Sequence, residues 1–182
     1  MDLGRPWVLR GLVIALAVVV GVVAYVATSG GDDDREPASA PEAGEARILS
    51  AAQLAEIASS AETPIYWAGE INDTRLELTE EEGSFLVRYL EEDDEAGAAP
   101  GQRIAVGSYP LPNPLKALNT VAGAPGARAT DVEGIGTVVI DPEAQKNVYL
   151  VDPDNEVQVE VYAPTAARAI GLVRSGKVRP VG

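Results

Sequence analysis

The chain contains no cysteine, and its composition counts no histidine among 182 residues. The first absence removes disulfide staples, thiolate nucleophiles, zinc–thiolate centres and the lipid-bearing cysteine of a lipoprotein. The second removes Ser-His-Asp and Cys-His catalysis, histidine metal sites and imidazole acid–base work. Positive charge is scarce too: 14 Lys plus Arg stand against 28 Asp plus Glu. The lysines, Lys116, Lys146 and Lys177, fall on the polar face of an expected helix, in a turn and in the tail, so none is placed to act as the base of a serine–lysine dyad. Phosphate-cradling loops are also missing, since Gly134-Ile135-Gly136 lacks the rest of any dinucleotide or P-loop pattern. No cofactor and no metal is expected.

What the chain does have is a long apolar run near its start. Gly11 to Thr28 is uncharged. At about 1.5 Å per residue it makes a helix of roughly 27 Å, close to the roughly 30 Å hydrocarbon thickness of a bilayer. Trp7 and Tyr25 sit near its ends, where amphipathic rings prefer the headgroup level. Arg5 and Arg10 precede the span and Asp32, Asp33 and Asp34 follow it. The positive-inside rule therefore predicts a single-pass signal-anchor with residues 1–10 cytoplasmic, residues 11–28 in the cell membrane and the remainder extracytoplasmic. The alternative is a cleaved signal peptide, for which Ala27-Thr28-Ser29 offers a small-x-small site, although the apolar run exceeds the roughly 7–15 residues of a signal h-region.

With Asp2, Arg5 and Arg10 set aside, the rest of the chain is strongly acidic. Such a surface repels phosphate backbones and anionic headgroups, so nucleic acid is excluded as a partner. The partners expected are the membrane, through the N-terminal helix, and a protein of the envelope. Arginine-over-lysine usage with abundant Ala, Val and Gly resembles bacterial proteins from GC-rich genomes. Residues 29–46 (SGGDDDREPASAPEAGEA) hold no apolar side chain larger than alanine and predict an unstructured acidic linker, leaving residues 47–182 as one α+β domain.

Within that domain, Leu49-Ser50-x-x-Gln53-Leu54 combines a capping box with a hydrophobic staple and predicts a helix over 51–61, stopped by Thr63-Pro64. Beyond it the apolar period falls to two. Strands are expected at 65–68, 75–79, 85–90, 103–109, 136–140, 147–151 and 157–162, with a turn at 80–83. Helices are expected at 115–122 and after Ala163-Pro164. The fold expected is a mainly antiparallel sheet with two or three helices packed on one face. Strand-strand-strand-helix occurs twice, and Val106-x-x-Tyr109 echoes Val159-x-x-Tyr162 at an offset of 53 residues. A duplicated βββα unit would give a pseudo-symmetric saddle or groove; strand-to-helix junctions share this pattern without duplication, so the order of elements is the firmer expectation.

Carboxylate chemistry is the one catalytic class the composition leaves open. Glu80-Glu81-Glu82 and Glu91–Glu95 fall at loop tips, where runs of charge are solvated. Asp152-Pro153-Asp154-Asn155-Glu156 begins like an EF-hand loop, but Val157 stands where glycine is needed and Ala163 where the closing glutamate is needed, so it reads as a hairpin turn. Asn72-Asp73-Thr74 is a glycosylation sequon. No catalytic residue is assigned. Tyr66 and Trp67, an adjacent aromatic pair at a strand, are the candidate ligand contacts, with a core or sheet-edge role as the competing reading. The expected function is a membrane-anchored, non-enzymatic interaction or accessory module of the envelope. The alternatives are a carboxylate-dependent hydrolase or cation-dependent binder, and an extracytoplasmic ligand sensor.

Overall fold

The computed structural model describes residues 44–97, 103–133, 135–140 and 146–182. The expected cytoplasmic segment, the membrane span 11–28 and the linker up to residue 43 lie outside these residues. Among the described residues no helix is long and apolar enough to cross a membrane.

Order begins inside the stretch counted with the linker. The Gly44 N–H donates to Glu80 O at 2.7 Å, and β1 (Ala46–Leu49) pairs antiparallel with β3 (Arg75–Glu81). Ser50 then caps α1 (Ala51–Ser60): its hydroxyl accepts from the Gln53 N–H at 3.2 Å while Gln53 Oε1 accepts the Ser50 N–H at 2.9 Å, the reciprocal box that the sequence announces. Among the described residues, short β2 (Tyr66–Trp67) pairs only with β10 (Arg179–Pro180). The β3–β4 hairpin closes more tightly than expected. Glu81 pairs with Ser84 at the head of β4 (Ser84–Leu90), so the turn is just Glu82 and Gly83, both at positive φ (50° and 75°) as a type I′ turn requires.

The remaining elements are β5 (Ala105–Pro110), α2 (Pro114–Ala122), β6 (Arg128–Val132), β7 (Gly136–Ile140), β8 (Asn147–Asp152), β9 (Val157–Tyr162) and α3 (Ala166–Arg174). The described residues thus form a mainly antiparallel α+β fold with three helices. Among them the main sheet has eight strands in the order β1-β3-β4-β5-β9-β8-β7-β6. Strand, strand, strand, helix occurs twice, as β3-β4-β5-α2 and β7-β8-β9-α3, and β5 and β9 meet at the middle of the sheet. β1, β6 and β10 were not expected as strands. β6, Arg128-Ala129-Thr130-Asp131-Val132, has one buried residue and no alternation to read, and owes its conformation to full pairing with β7.

Alternation assigns the two faces. Val87 pairs with Val106 and Val106 with Val161; Val161 pairs with Val148; all are buried in one apolar cluster. Leu54 and Ile57 of α1 and Ala169 and Val173 of α3 close over this face. Each large side chain so buried contributes about 1.5–3 kcal/mol. The third helix lies elsewhere. α2 runs against β7 and β8, and its Leu118 is buried outside that cluster, as is Val139, the β7 residue pointing away from it. Two helices therefore share the core face, and α2 covers the reverse face at one end.

The Asp152 turn joins β8 to β9, and the hairpin reading of 152–156 holds: Asp152 pairs with Val157. Asp152 Oδ1 accepts the N–H groups of Asp154 (3.1 Å) and Asn155 (3.3 Å), and Oδ2 accepts Asn155 Nδ2 (2.7 Å) and the Tyr66 hydroxyl (2.8 Å). Burial pushes the Asp152 carboxyl upward, but these hydrogen bonds from Asn155, Tyr66 and the turn amides outweigh it and hold it below the usual carboxylate range. A carboxyl lowered on folding stabilises the native state above its unfolded value near pH 4 and loses that contribution as pH falls through the folded value. Asp152→Asn is therefore expected to flatten the loss of melting temperature below about pH 4 while changing it little with pH between 6 and 8; an unchanged acid limb refutes the role.

Candidate functional site

The reverse face of the central strands is polar, because alternate residues of β5 and β9 turn away from the core. Gly107 pairs with Glu160, Tyr109 with Gln158, and Tyr149 of β8 with Glu160. Three neutral donors converge on the Glu160 carboxylate. Asn147 Nδ2 and Tyr149 Oη (3.3 Å) donate to its Oε1, and the Tyr109 hydroxyl reaches it from the opposite strand. Glu160 keeps 9% of its surface, so the group lies just beneath a half-exposed rim that includes Tyr149 and Tyr162.

Tyr109 reaches that far because residue 107 has no side chain. A Cβ at Gly107 would stand 2.6 Å from Tyr109 Cε2 and Cζ and collide with its hydroxyl, so the ring lies across the glycine. Burial first, then the charge of Glu160, the neighbouring Tyr149 and the hydrogen bond to Glu160, push the Tyr109 phenol well above the usual tyrosine range; it is a neutral donor.

Two walls flank this strip. On the β3–β4 side the acidic loop after β4 is tied down by arginines. Glu77, fully buried, pairs with Arg88 and accepts the Gly97 N–H at 2.6 Å. Arg103 forks onto Asp94, which also accepts the Glu91 N–H at 2.8 Å, and Arg75 donates to the Asp94 carbonyl. Its hydrogen bond from Arg103, strongest among several, holds the Asp94 carboxyl below the usual range. The Glu91–Glu95 run is thus only partly a solvated tip. On the other side stands α2.

Tyr66 and Trp67 lie across the sheet from this strip, on the core side, so the structure does not bring them to it. Tyr66 is 8% exposed, its N–H donates to Ser108 Oγ (2.8 Å) and its hydroxyl serves the Asp152 turn. Trp67 packs half-buried against the core, and its indole N–H meets no acceptor. The Ala68 N–H donates to the Tyr89 hydroxyl (2.7 Å), which itself donates to Gly69 O (2.9 Å). The pair is therefore fixed within the fold. The Glu160 group was missed, though the alternation Val157-Gln158-Val159-Glu160-Val161 carries the signal that Gln158 and Glu160 share the face opposite the valines.

Chemically the strip offers a carboxylate and phenol rings beside an amide, a set suited to hydrogen bonding and aromatic contact. Among the described residues no group of three or more Asp or Glu is arranged to hold a metal ion. No family model, curated protein or solved structure matches the chain.

Proposed function

We propose that the chain is a membrane-tethered, non-enzymatic module whose extracytoplasmic domain offers the reverse face of β5 and β9 to a protein partner in the envelope. The observation that carries this reading is the tyrosine-bearing strip, Tyr109, Tyr149 and Tyr162 around Glu160, lying between the pinned loop and α2. Tyrosine supplies large contact area with a polar tip, and it is enriched at interfaces for that reason.

A two-half reading supports the choice of face. The offset of 53 residues pairs Val106 with Val159 and Tyr109 with Tyr162, and a shift of 52 brings Pro114–Ala122 onto Ala166–Arg174. In the β5–β9 register Val106 faces Val161 and Ser108 faces Val159, so a two-fold axis normal to the sheet exchanges these pairs and passes between Gly107 and Glu160. The strands of the two halves then meet along the strip, and Gly107 and Glu160 are the same position occupied differently; the helices do not follow the axis, since α3 lies on the core face and α2 on the reverse face.

The cysteine-free chain makes the test direct. Ala105→Cys, on the strip, is labelled in intact cells with a membrane-impermeant maleimide carrying a photo-crosslinker, beside Ala167→Cys on the exposed surface of α3. Labelling at both positions with a crosslinked protein only from residue 105, and its disappearance in Tyr162→Ala, is the expected result. Failure of either cysteine to label overturns the topology; equal crosslinking from both overturns the face.

A further inference from the structure

The main sheet ends on β6, and among the described residues no strand pairs with its far side. Edge strands are ordinarily guarded by proline, lysine, a bulge or a covering element. β6, Arg128-Ala129-Thr130-Asp131-Val132, holds neither proline nor lysine, and it matches β7 in unbroken register from Arg128 opposite Ile140 to Val132 opposite Gly136. Arg128, Ala129 and Asp131 are exposed, so the edge is open. The hairpin turn decides which backbone groups face outward. Val132 O accepts the Ile135 N–H at 3.0 Å, so Val132 turns its peptide groups toward β7. Residues alternate in this respect along a strand, which turns Thr130 and Arg128 to β7 as well and leaves the N–H and C=O of Ala129 and Asp131 facing outward.

We propose that β6 pairs antiparallel with β6 of a second copy about a two-fold axis at Thr130, joining two sheets edge to edge. Facing residues of an antiparallel pair both turn their groups to the partner strand, so two identical strands meet only in registers centred on a residue. Centring on Arg128 or Asp131 sets like charges directly opposite, which destabilises the pair. Centring on Ala129 spends Asp131 on Ala127, whose N–H already donates to Ala124 O at 3.1 Å, and centring on Val132 leaves Ala129 beyond the end of the partner strand. Centring on Thr130 pairs Ala129 with Asp131 of the second copy and Asp131 with its Ala129, so the outward groups of both residues are used in both copies. Thr130 then faces its own counterpart, a favourable cross-strand pair. Each Arg128 comes opposite Val132 and beside the exposed Glu133 of the other copy, a match of opposite charge. The axis is normal to the sheet, so both copies turn the Glu160 face to the same side; the pairing itself does not depend on what that face binds.

The chain contains no cysteine, so a single introduced thiol forms a disulfide only between copies. Thr130→Cys is placed in the full chain in detergent under mild oxidation. The axis sets its Cα atoms about 4.5 Å apart, within disulfide reach, whereas Asp131→Cys meets its counterpart on the diagonal at about 7–8 Å, beyond it. Rapid dimerisation of the first and not of the second is expected. Ala129→Pro removes only an outward N–H, a change an edge strand tolerates, and is expected to abolish the Thr130→Cys disulfide and to convert the cysteine-free chain from dimer to monomer by sedimentation with its melting temperature kept. Arg128→Glu, which sets like charges at each end of the paired segment, is expected to weaken the dimer several-fold, and it serves as the second variant should the proline disturb β6. A chain that stays monomeric, equal crosslinking from residues 130 and 131, or a dimer indifferent to both Ala129→Pro and Arg128→Glu overturns the proposal. So does assembly that grows past the dimer with concentration, which assigns β6 to the opposite sheet edge, β1, in an open-ended array.

Discussion

Arg88→Ala is expected to lower the unfolding free energy by about 3–5 kcal/mol, the cost of removing one member of a buried ion pair. Glu77 has no exposed surface, and its two oxygens are divided between Arg88 and the Gly97 N–H. Removing the guanidinium leaves a carboxylate in the sheet's reverse face with one backbone donor, and its desolvation is then largely uncompensated. The pair itself need not be net stabilising against an apolar replacement. Glu77→Leu combined with Arg88→Met is therefore expected to recover most of the loss in urea denaturation, while still freeing the Gly97 loop. Limited proteolysis separates the two effects: cleavage after β4 is expected in both variants, but global destabilisation only in the single one. A single variant within about 0.5 kcal/mol of the native chain would show that the pair carries no such burden.

The elements legible in the sequence are those whose own residues decide them. The Ser50–Gln53 box fixes α1 to within a residue, because capping is a local exchange of hydrogen bonds. The alternation of Phe85, Val87 and Tyr89 and of Val157, Val159 and Val161 marks β4 and β9 and the face each turns to the core. β6 and β10 were illegible because their conformation comes from partners: Arg128–Val132 is mostly exposed, with only Val132 buried, but is paired throughout with β7, and Arg179–Pro180 is held by β2. The same distinction separates the two aromatic groups. Tyr66 and Trp67 stood out as neighbours in sequence, yet the fold uses them to join β2 to β5 and to the Asp152 turn. Glu160, Tyr109, Tyr149 and Asn147 are dispersed along the chain and meet only through the β5–β9–β8 register, which no local pattern encodes.

The second large effect is expected at Gly107, and its sign depends on what stands at 109. In the native chain Gly107→Ala places a methyl 2.6 Å from the Tyr109 ring, too close for any carbon contact, and the neighbouring β4 and β9 strands leave the backbone no room to retreat. The ring must swing off the strand and give up its hydrogen bond to Glu160, so overpacking of about 1–3 kcal/mol adds to the loss of a bond to a charged group, about 1.5–3 kcal/mol. With Tyr109 already removed the obstacle is gone. Gly107→Ala in a Tyr109→Ala background is then expected to be neutral or to stabilise by about 0.5–1 kcal/mol, since glycine within a strand carries an entropic cost that alanine does not. The double-mutant cycle thus predicts a change of sign, which a general intolerance of side chains at residue 107 cannot produce. If Gly107→Ala is equally damaging in both backgrounds, the glycine serves the backbone rather than the ring. The pairing of Gly107 with Glu160 across the strip would then lose its physical rationale, which is that the side chain absent on one strand makes room for the tyrosine that satisfies the acid on the other.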